Sequence, residues 1–222
     1  MKITPICYAS SFLHESMVFK NGDKNANRPI VFKIYLIETS TRKILVDAGC
    51  ETMPGFDMRD FISPVQVLSS MSISPSDITD VILTHAHHDH IECVSYFDKS
   101  TVYIQRDEYE KSGRKYIPTH FNTVLFEDEI EIVEGIRAIR IGGHSVGSCV
   151  VEITDKDTVY VIAGDECYLY ECVERGIPTG SSCCPEKSRA FIEKYGKEPY
   201  QVLLCHDPKN RKELNYESNT CK

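Results

Sequence analysis

The sequence predicts an α+β fold in which sheet packs on sheet with helices on the outside. Two observations predict it. Short strand-type runs recur along the chain, and helix-type segments fall late in each half, so that a strand-rich part, a helix and a strand are followed by the same order again. A third observation bounds it: no repeat, low-complexity tract or linker rich in Pro, Gly or Ser interrupts the 222 residues, which read as a single domain spanning 1–222.

The elements follow in order. "PIVFKIYLIET" (29–39) is β-branched and aromatic, and "RKILVDAG" (42–49) follows after a short polar turn, the spacing of a hairpin. "FISPVQVLSSMSI" reads as a short helix starting near Pro64, and "SPSDIT" as a helical turn capped by serine and aspartate. "TDVILT" is a buried strand that ends at His85; "IECVSYF" then reads as helix and "STVYIQ" as strand. "RDEYEKSGRKY" is charged enough to predict an exposed helix. From residue 123, "TVLFEDEIEIVEGIRAIRIGGHS" alternates in short strands with Gly135 at a turn, and "SCVVEITDKDTVYVIAGDE" is two more strands joined by "DKD". "CPEKSRAFIEKYGKEP" is a helix with proline near its start, an apolar stripe through Ala190, Phe191, Ile192 and Tyr195, and Gly196 at its end. "YQVLLCHD" closes the series as a buried strand.

Composition narrows the function classes. A formal net charge of −8 argues against a nucleic-acid footprint and leaves a small molecule as the expected partner. No run approaches the roughly 20 apolar residues of a bilayer span. The start, "MKITPICYASSF", lacks the apolar core of a secretion signal, so a cytoplasmic location is expected. The ten cysteines are scattered, and most read as reduced, buried residues; Cys183-Cys184 lacks metal-type spacing and receives no role.

Half of the eight histidines lie in "VILTHAHHDHIE". The pattern is H-x-H-x-D-H: His85, His87, Asp89 and His90, in a loop leaving a buried strand. Imidazole and carboxylate together are the ligand set of zinc and related borderline metals. Three more residues repeat the arrangement of apolar strand followed by polar ligand: His144 in "IGGHSVGS", Asp165 in "VYVIAGDE" and His206 in "QVLLCHDP". In the first of these the glycines let the backbone turn tightly beside a site. That recurrence is what a metal site at the edge of a sheet sandwich requires.

The ordered set "ILVDAG", "THAHHDH", "GGHS", "AGDE" and "CHD", running from Phe32 to Asp207, resembles the metallo-β-lactamase superfamily. The resemblance implies an αββα four-layer sandwich of two similar halves with two divalent metal ions at one end. By motif, His85, His87 and His144 would hold the first ion and Asp89, His90 and His206 the second, with Asp165 bridging them. Asp47 would stand behind the ligands and orient a histidine. Zinc leads among the candidate ions, and manganese, iron or cobalt suit the same nitrogen and oxygen donors. A hydroxide held between two such ions attacks a carbonyl or phosphorus centre.

Within the superfamily, the chain is most similar to N-acyl-homoserine lactone lactonases, the quorum-quenching hydrolases. "IYLIETSTRKILVDAG" matches their opening hairpin, "STVYIQRDEYE" the strand and helix after the histidine motif, and Tyr168 in "DECY" an active-site tyrosine three residues past the bridging aspartate. The resemblance implies hydrolysis of a lactone or carboxylic ester, with Asp89, Asp165 and Tyr168 as the candidate catalytic residues. Tyr168 would stabilise the oxyanion and Asp89 would pass a proton to the leaving ring oxygen. His88 falls where lactonases carry an apolar residue and is kept out of the ligand set; His14 and His120 match no ligand motif. Two alternatives on the same fold stay open: a thioester hydrolase resembling glyoxalase II, and a phosphodiesterase.

Overall fold

The computed structural model describes residues 1–209. Two sheets divide the chain between its halves. The first is six-stranded, in the order β1 (Lys2–His14), β2 (Asn27–Glu38), β3 (Lys43–Val46), β4 (Asp80–Leu83), β5 (Thr101–Gln105), β6 (Asn122–Phe126). The second runs β11 (Tyr200–Leu203), β10 (Thr158–Ile162), β9 (Cys149–Asp155), β8 (Ile136–Arg140), β7 (Glu129–Val133). The α-helices are α1 (Glu15–Val18), α2 (Pro64–Ser70), α3 (His88–Ile91), α4 (Arg106–Lys111), α5 (Tyr170–Arg175) and α6 (Pro185–Tyr195).

The period of two along each strand builds the layers. Tyr35, Ile37, Ile44, Val46 and Ile82 of the first sheet share one core with Val151, Ile153, Ile162 and Leu203 of the second, which places the two sheets face to face. Their neighbours in sequence point the other way. Leu36, Leu45, Val81 and Leu83, and likewise Val150, Val161 and Val202, join the core formed with Val67 and Leu68 of α2 and with Phe191, Ile192 and Tyr195 of α6. Strands buried on both faces explain the apolar runs "ILV" (44–46) and "VIL" (81–83). The fold is the expected sheet-on-sheet α+β sandwich with helices outside. No helix among the described residues is long and apolar enough to cross a membrane.

Strand direction then decides where the chain's polar ends meet. In the first sheet β3, β4, β5 and β6 run parallel. In the second, β8 and β10 are both antiparallel to β9, and β11 is parallel to β10. The carboxyl ends of β8, β10 and β11 therefore emerge on one edge.

Three expectations need correction. The first strand was not foreseen: β1 pairs with β2 from Lys2 to His14, with one irregularity between Cys7 and Ala9. Pro5 lies inside it, which a strand tolerates at a sheet edge, where a missing N–H breaks no ladder. The segment "RDEYEKSGRKY" is only partly an exposed helix: α4 stops at Lys111, a 3-10 turn follows at Gly113–Lys115, and Glu108 points inward. The helix in "IECVSYF" is a 3-10 segment, Glu92–Tyr96, that continues α3. The short helices α1 and α5 also carried no recognised signal.

Candidate metal centre

Every residue singled out as a ligand comes to this edge. Asp47 follows β3 directly, His85 stands two residues past β4, and Asp165 and His206 stand three residues past β10 and β11. His144 follows β8 through "IGG". Two of the glycines on these routes are sterically required. Gly164 turns the chain at φ +52° with Thr84 pressed against it, and a Cβ at Gly143 would stand 2.2 Å from Glu166 Oε2 and 2.4 Å from Ser188 Oγ. Gly143→Ala is expected to destabilise the protein by about 1–3 kcal/mol, measured by denaturant unfolding; an unchanged midpoint would contradict this packing.

The donor atoms fall into three groups, one of which, Asp47, His90 and Cys205, lies behind the other two on the Nδ1 side of His90. His85, His87, His144 and Asp165 each offer one atom to a set lying within 4.8 Å, and Asp89, His90 and His206 form a second such set. Asp165 faces both. Its Oδ2 lies 3.3 Å from His144 Nε2 and 3.6 Å from His85 Nε2, while its Oδ1 lies 3.1 Å from His90 Nε2 and 3.0 Å from His206 Nε2. Asp89 Oδ2 stands 3.5 Å from His90 Nε2 and 3.6 Å from His206 Nε2. His87 Nδ1 and His144 Nε2 approach to 2.9 Å. His88 belongs to none of the groups; its Nδ1 pairs with the Tyr116 hydroxyl at 3.1 Å and its Nε2 lies 3.4 Å from Thr52 Oγ1. His14 and His120 are exposed and belong to none of them either.

In three of the histidines the other ring nitrogen is held from behind. His90 Nδ1 donates to Asp47 Oδ2 at 2.7 Å and His206 Nδ1 to the Val31 carbonyl at 2.9 Å. His85 Nδ1 lies 3.1 Å from Thr84 Oγ1, and the Thr84 hydroxyl itself donates to Asp47. Tethering Nδ1 in this way fixes the tautomer and aims Nε2 at the cluster, the arrangement found behind metal-ligating histidines. The position expected of Asp47, behind a histidine, is the one it occupies.

Whether these residues fit a metal can be tested on their hydrogen bonding. Seven buried side-chain polar atoms lack a hydrogen-bond partner among the described residues, and five are in this cluster: Nε2 of His85, His90 and His206, Nδ1 of His144 and Oδ1 of Asp165. Each such orphan costs about 1–3 kcal/mol, and native structures rarely concentrate them. Nε2 of His90 and of His206 stand 3.1 and 3.0 Å from Asp165 Oδ1, and Nε2 of His85 stands 3.6 Å from Oδ2, separations at which a cation between nitrogen and carboxylate satisfies both. The donor set fits divalent metal.

Electrostatics support the same conclusion. Burial pushes His85 well below the ordinary histidine pKa and His144 down to about 4, which leaves neutral imidazoles able to coordinate. Burial opposes the charged form of Asp165 too, but His90, His206 and His144 outweigh it and hold its carboxyl well below the usual range. For His90 and His206 burial is likewise overcome, chiefly by Asp165 and then by Asp89, and both are raised in the metal-free protein.

The cluster forms the floor of a cavity of about 330 Å³ whose walls are Leu13, Met17, Ile30, Phe32, Met53 and Phe56. Tyr168 lies on the floor, its ring 5.1 Å from that of His206 and 6.1 Å from that of His144. Its hydroxyl accepts a hydrogen bond from Ser181 Oγ at 3.0 Å. Burial, then the charge of Asp165, holds its pKa well above that of a free phenol, so it remains a donor.

Sequence reasoning missed two buried carboxylates that fasten the ligand loops. Glu108 Oε2 accepts from Ala86 N, and its Oε1 from Ser145 Oγ and Gly147 N, so one side chain ties the His85–His90 loop to the His144 loop. Glu166 Oε1 accepts from Gly143 N, His144 N and Ser148 Oγ, and Oε2 from Ser188 Oγ. Glu166 had a signal, an acid directly beside Asp165 after an apolar strand. Glu108 had none, because it sits in a charged helix.

Comparison with known proteins follows the same lines. Residues 33–208 match the family model of the metallo-beta-lactamase superfamily. An N-acyl homoserine lactonase of Bacillus cereus is 28% identical over 207 residues, which span 80% of this chain and 82% of that protein. An N-acyl homoserine lactonase of Agrobacterium fabrum is 25% identical over 173 residues, 60% of this chain and 62% of its own length. The crystal structure of a quorum-quenching N-acyl homoserine lactone hydrolase aligns with a TM-score of 0.80 at 25% identity, covering 93% of this chain and 92% of that one. A structure of an N-acyl homoserine lactone hydrolase with the product N-hexanoyl-L-homoserine bound at its catalytic metal centre shares the fold at a TM-score of 0.80 and 23% identity, with 93% of each chain covered.

Proposed function

The chain belongs to the metallo-beta-lactamase superfamily, and from that premise we propose that it is a metal-dependent hydrolase that opens a lactone ring, N-acyl homoserine lactones being the leading substrates. The observation that carries this reading is Asp165, with one oxygen turned to each donor group beneath an apolar-walled cavity. We assign His85, His87 and His144 to one divalent ion, Asp89, His90 and His206 to a second, and Asp165 to both, zinc being the ion that this donor set suits first. When bound, the ions supply a water acidified to near neutrality and polarise an ester carbonyl.

The protein's own groups do the rest. The wall from Leu13 to Phe56 buries an acyl chain, worth about 0.8 kcal/mol per methylene, and leaves the ester end at the floor. Tyr168 donates its phenolic proton toward the carbonyl oxygen as negative charge gathers there. Asp89 takes the proton shed by the attacking water and delivers it to the ring oxygen as it leaves, so that lactone and water become the open hydroxy acid. The relatives support the substrate class, since those of Bacillus cereus and Agrobacterium fabrum are N-acyl homoserine lactonases.

A substrate panel tests the reading: acyl-homoserine lactones, simple lactones, thioesters and phosphodiesters, each with zinc, manganese, cobalt or iron supplied. Lactones are expected to show the highest kcat/KM. A thioester turned over faster would instead support the activity of a glyoxalase II-like enzyme, and a phosphodiester would favour the third class. Tyr168→Phe is expected to lower kcat for the lactone by about 10- to 100-fold, less than a sole oxyanion donor because the ions share the task. An unchanged kcat would remove Tyr168 from the mechanism.

A further inference from the structure

We infer that Ser181 is a positioning residue for Tyr168: by donating to the phenol oxygen it turns the single phenolic proton toward the cavity. This inference rests on the reading that Tyr168 stabilises the oxyanion of an ester. Ser181 itself lines the cavity beside Tyr168.

A phenol has one proton and two acceptor sites. If Tyr168 gave its proton to Ser181, it would present only lone pairs to a developing oxyanion and repel it. The direction of the Ser181–Tyr168 bond therefore decides whether the tyrosine helps or hinders. Ser181 has two hydroxyl neighbours, Tyr168 at 3.0 Å and Thr179 Oγ1 at 3.3 Å. The shorter contact is the one to Tyr168, and the geometry there makes Ser181 the donor.

The remainder of the chain of hydroxyls explains why Thr179 does not compete for that role. Ser188 Oγ donates to the Glu166 carboxylate at 2.9 Å, Ser182 Oγ lies 2.8 Å from Ser188 Oγ, and Thr179 Oγ1 lies 3.0 Å from Ser182 Oγ. Since Ser188 spends its proton on Glu166, Ser182 donates to Ser188 and Thr179 donates to Ser182. The series runs toward the carboxylate and ends at Thr179, leaving Ser181 free to donate the other way. As Tyr168 gives its proton to an oxyanion, its oxygen becomes a better acceptor, and the bond from Ser181 strengthens with it.

The loop holds Ser181 in place. Gly180 N and Ser181 N both reach the Met17 carbonyl, at 2.9 and 3.2 Å, and a Cβ at Gly180 would fall 1.8 Å from the Ser16 carbonyl oxygen. On the other side Cys183 N and Cys184 N bond to the carbonyls of His144 and Gly143. Ser181 is thus fixed between the helix that supplies Met17 to the cavity wall and the loop that carries His144.

A double-mutant cycle on the metal-loaded enzyme tests this, with N-hexanoyl homoserine lactone or the fastest ester of the panel as the probe. Ser181→Ala is expected to lower kcat about fivefold, the rate equivalent of one hydrogen bond, with KM and metal content unchanged. Ser181→Thr should retain the activity. Combined with Tyr168→Phe, Ser181→Ala should add no further loss. The inference is overturned if Ser181→Ala leaves kcat unchanged, or if it costs the same factor with and without Tyr168. Should Tyr168→Phe prove silent, the oxyanion reading falls as well; should Tyr168→Phe be damaging while Ser181→Ala is silent, only the positioning role falls.

Discussion

Asp165→Asn is expected to reduce hydrolysis by more than about 100-fold and to remove metal, with secondary structure unchanged by circular dichroism. The magnitude follows from where the residue stands. Partners that merely support a ligating histidine are worth about 10- to 100-fold in metal affinity or activity, and Asp165 contacts both donor groups directly, Oδ1 on the side of His90 and His206 and Oδ2 on the side of His144 and His85. An asparagine keeps the shape but turns an amide nitrogen toward one group. That atom carries hydrogens and no lone pair for a cation. The substitution also deletes the charge that, after burial, acts most strongly on His90 and His206. Elemental analysis of the purified variant checks the claim. A variant that retains the wild-type metal content and rate would show that Asp165 belongs to neither ion's shell.

Asp165 was legible in the sequence for a reason that strand direction makes plain. "VYVIAGDE" and "QVLLCHDP" belong to parallel neighbours β10 and β11, and β8 runs the same way, so three sequence-distant strand ends converge without any long-range information being needed. The hairpin from β2 to β3 and the parallel pairing of β3 with β4 do the same for Asp47 and His85. What the sequence could not convey is everything that depends on which segments pass over that edge. Leu13 and Met17 reach the cavity because β1 lies along β2 for its whole length, a pairing hidden by Pro5 and by polar residues such as Ser10 and Ser11. Met53 and Phe56 arrive from a loop with no periodicity.

The residues that read wrongly share a cause. Glu108 looked like one more solvated charge in "RDEYE", yet three donors from two loops converge on it. Ser181 carries no local signal at all and takes its place only through contacts with Met17 and Tyr168. In each case the side chain's neighbours come from distant sequence, and local pattern assigns polar residues to water by default. His88 shows the converse. It lies inside the densest ligand motif of the chain, but Tyr116 and Thr52 occupy its ring nitrogens and it faces the cavity instead of the donor groups.

Removal of metal is expected to abolish hydrolysis and to lower the thermal midpoint by at least about 5–10 °C, the contribution of a single ion. Free metal at about 100 times its dissociation constant stabilises a site by about 2.7 kcal/mol, and for a chain of this size each kcal/mol moves the midpoint by about 2–4 °C. The direction with pH follows from the groups that replace the cations. In the metal-free protein His90 and His206 are raised above the ordinary histidine pKa by Asp165 and Asp89 against the opposing effect of burial. Their contribution to the metal-free fold is therefore fully present below the unfolded histidine pKa of about 6.5 and is lost as pH rises through the folded values. Asp165 has the opposite sign, but its depressed pKa places its effect in acid, below the unfolded carboxylate value. Metal must also displace protons from His90 and His206, so its affinity grows as pH rises. Both effects act together: the difference in midpoint between metal-loaded and chelated protein should widen from about pH 6 to about pH 8. Differential scanning calorimetry with and without chelator, followed by re-addition of zinc or manganese, measures it. Equal midpoints at every pH, or activity that survives complete chelation, would mean that the orphaned nitrogens of the cluster are satisfied by something other than a cation.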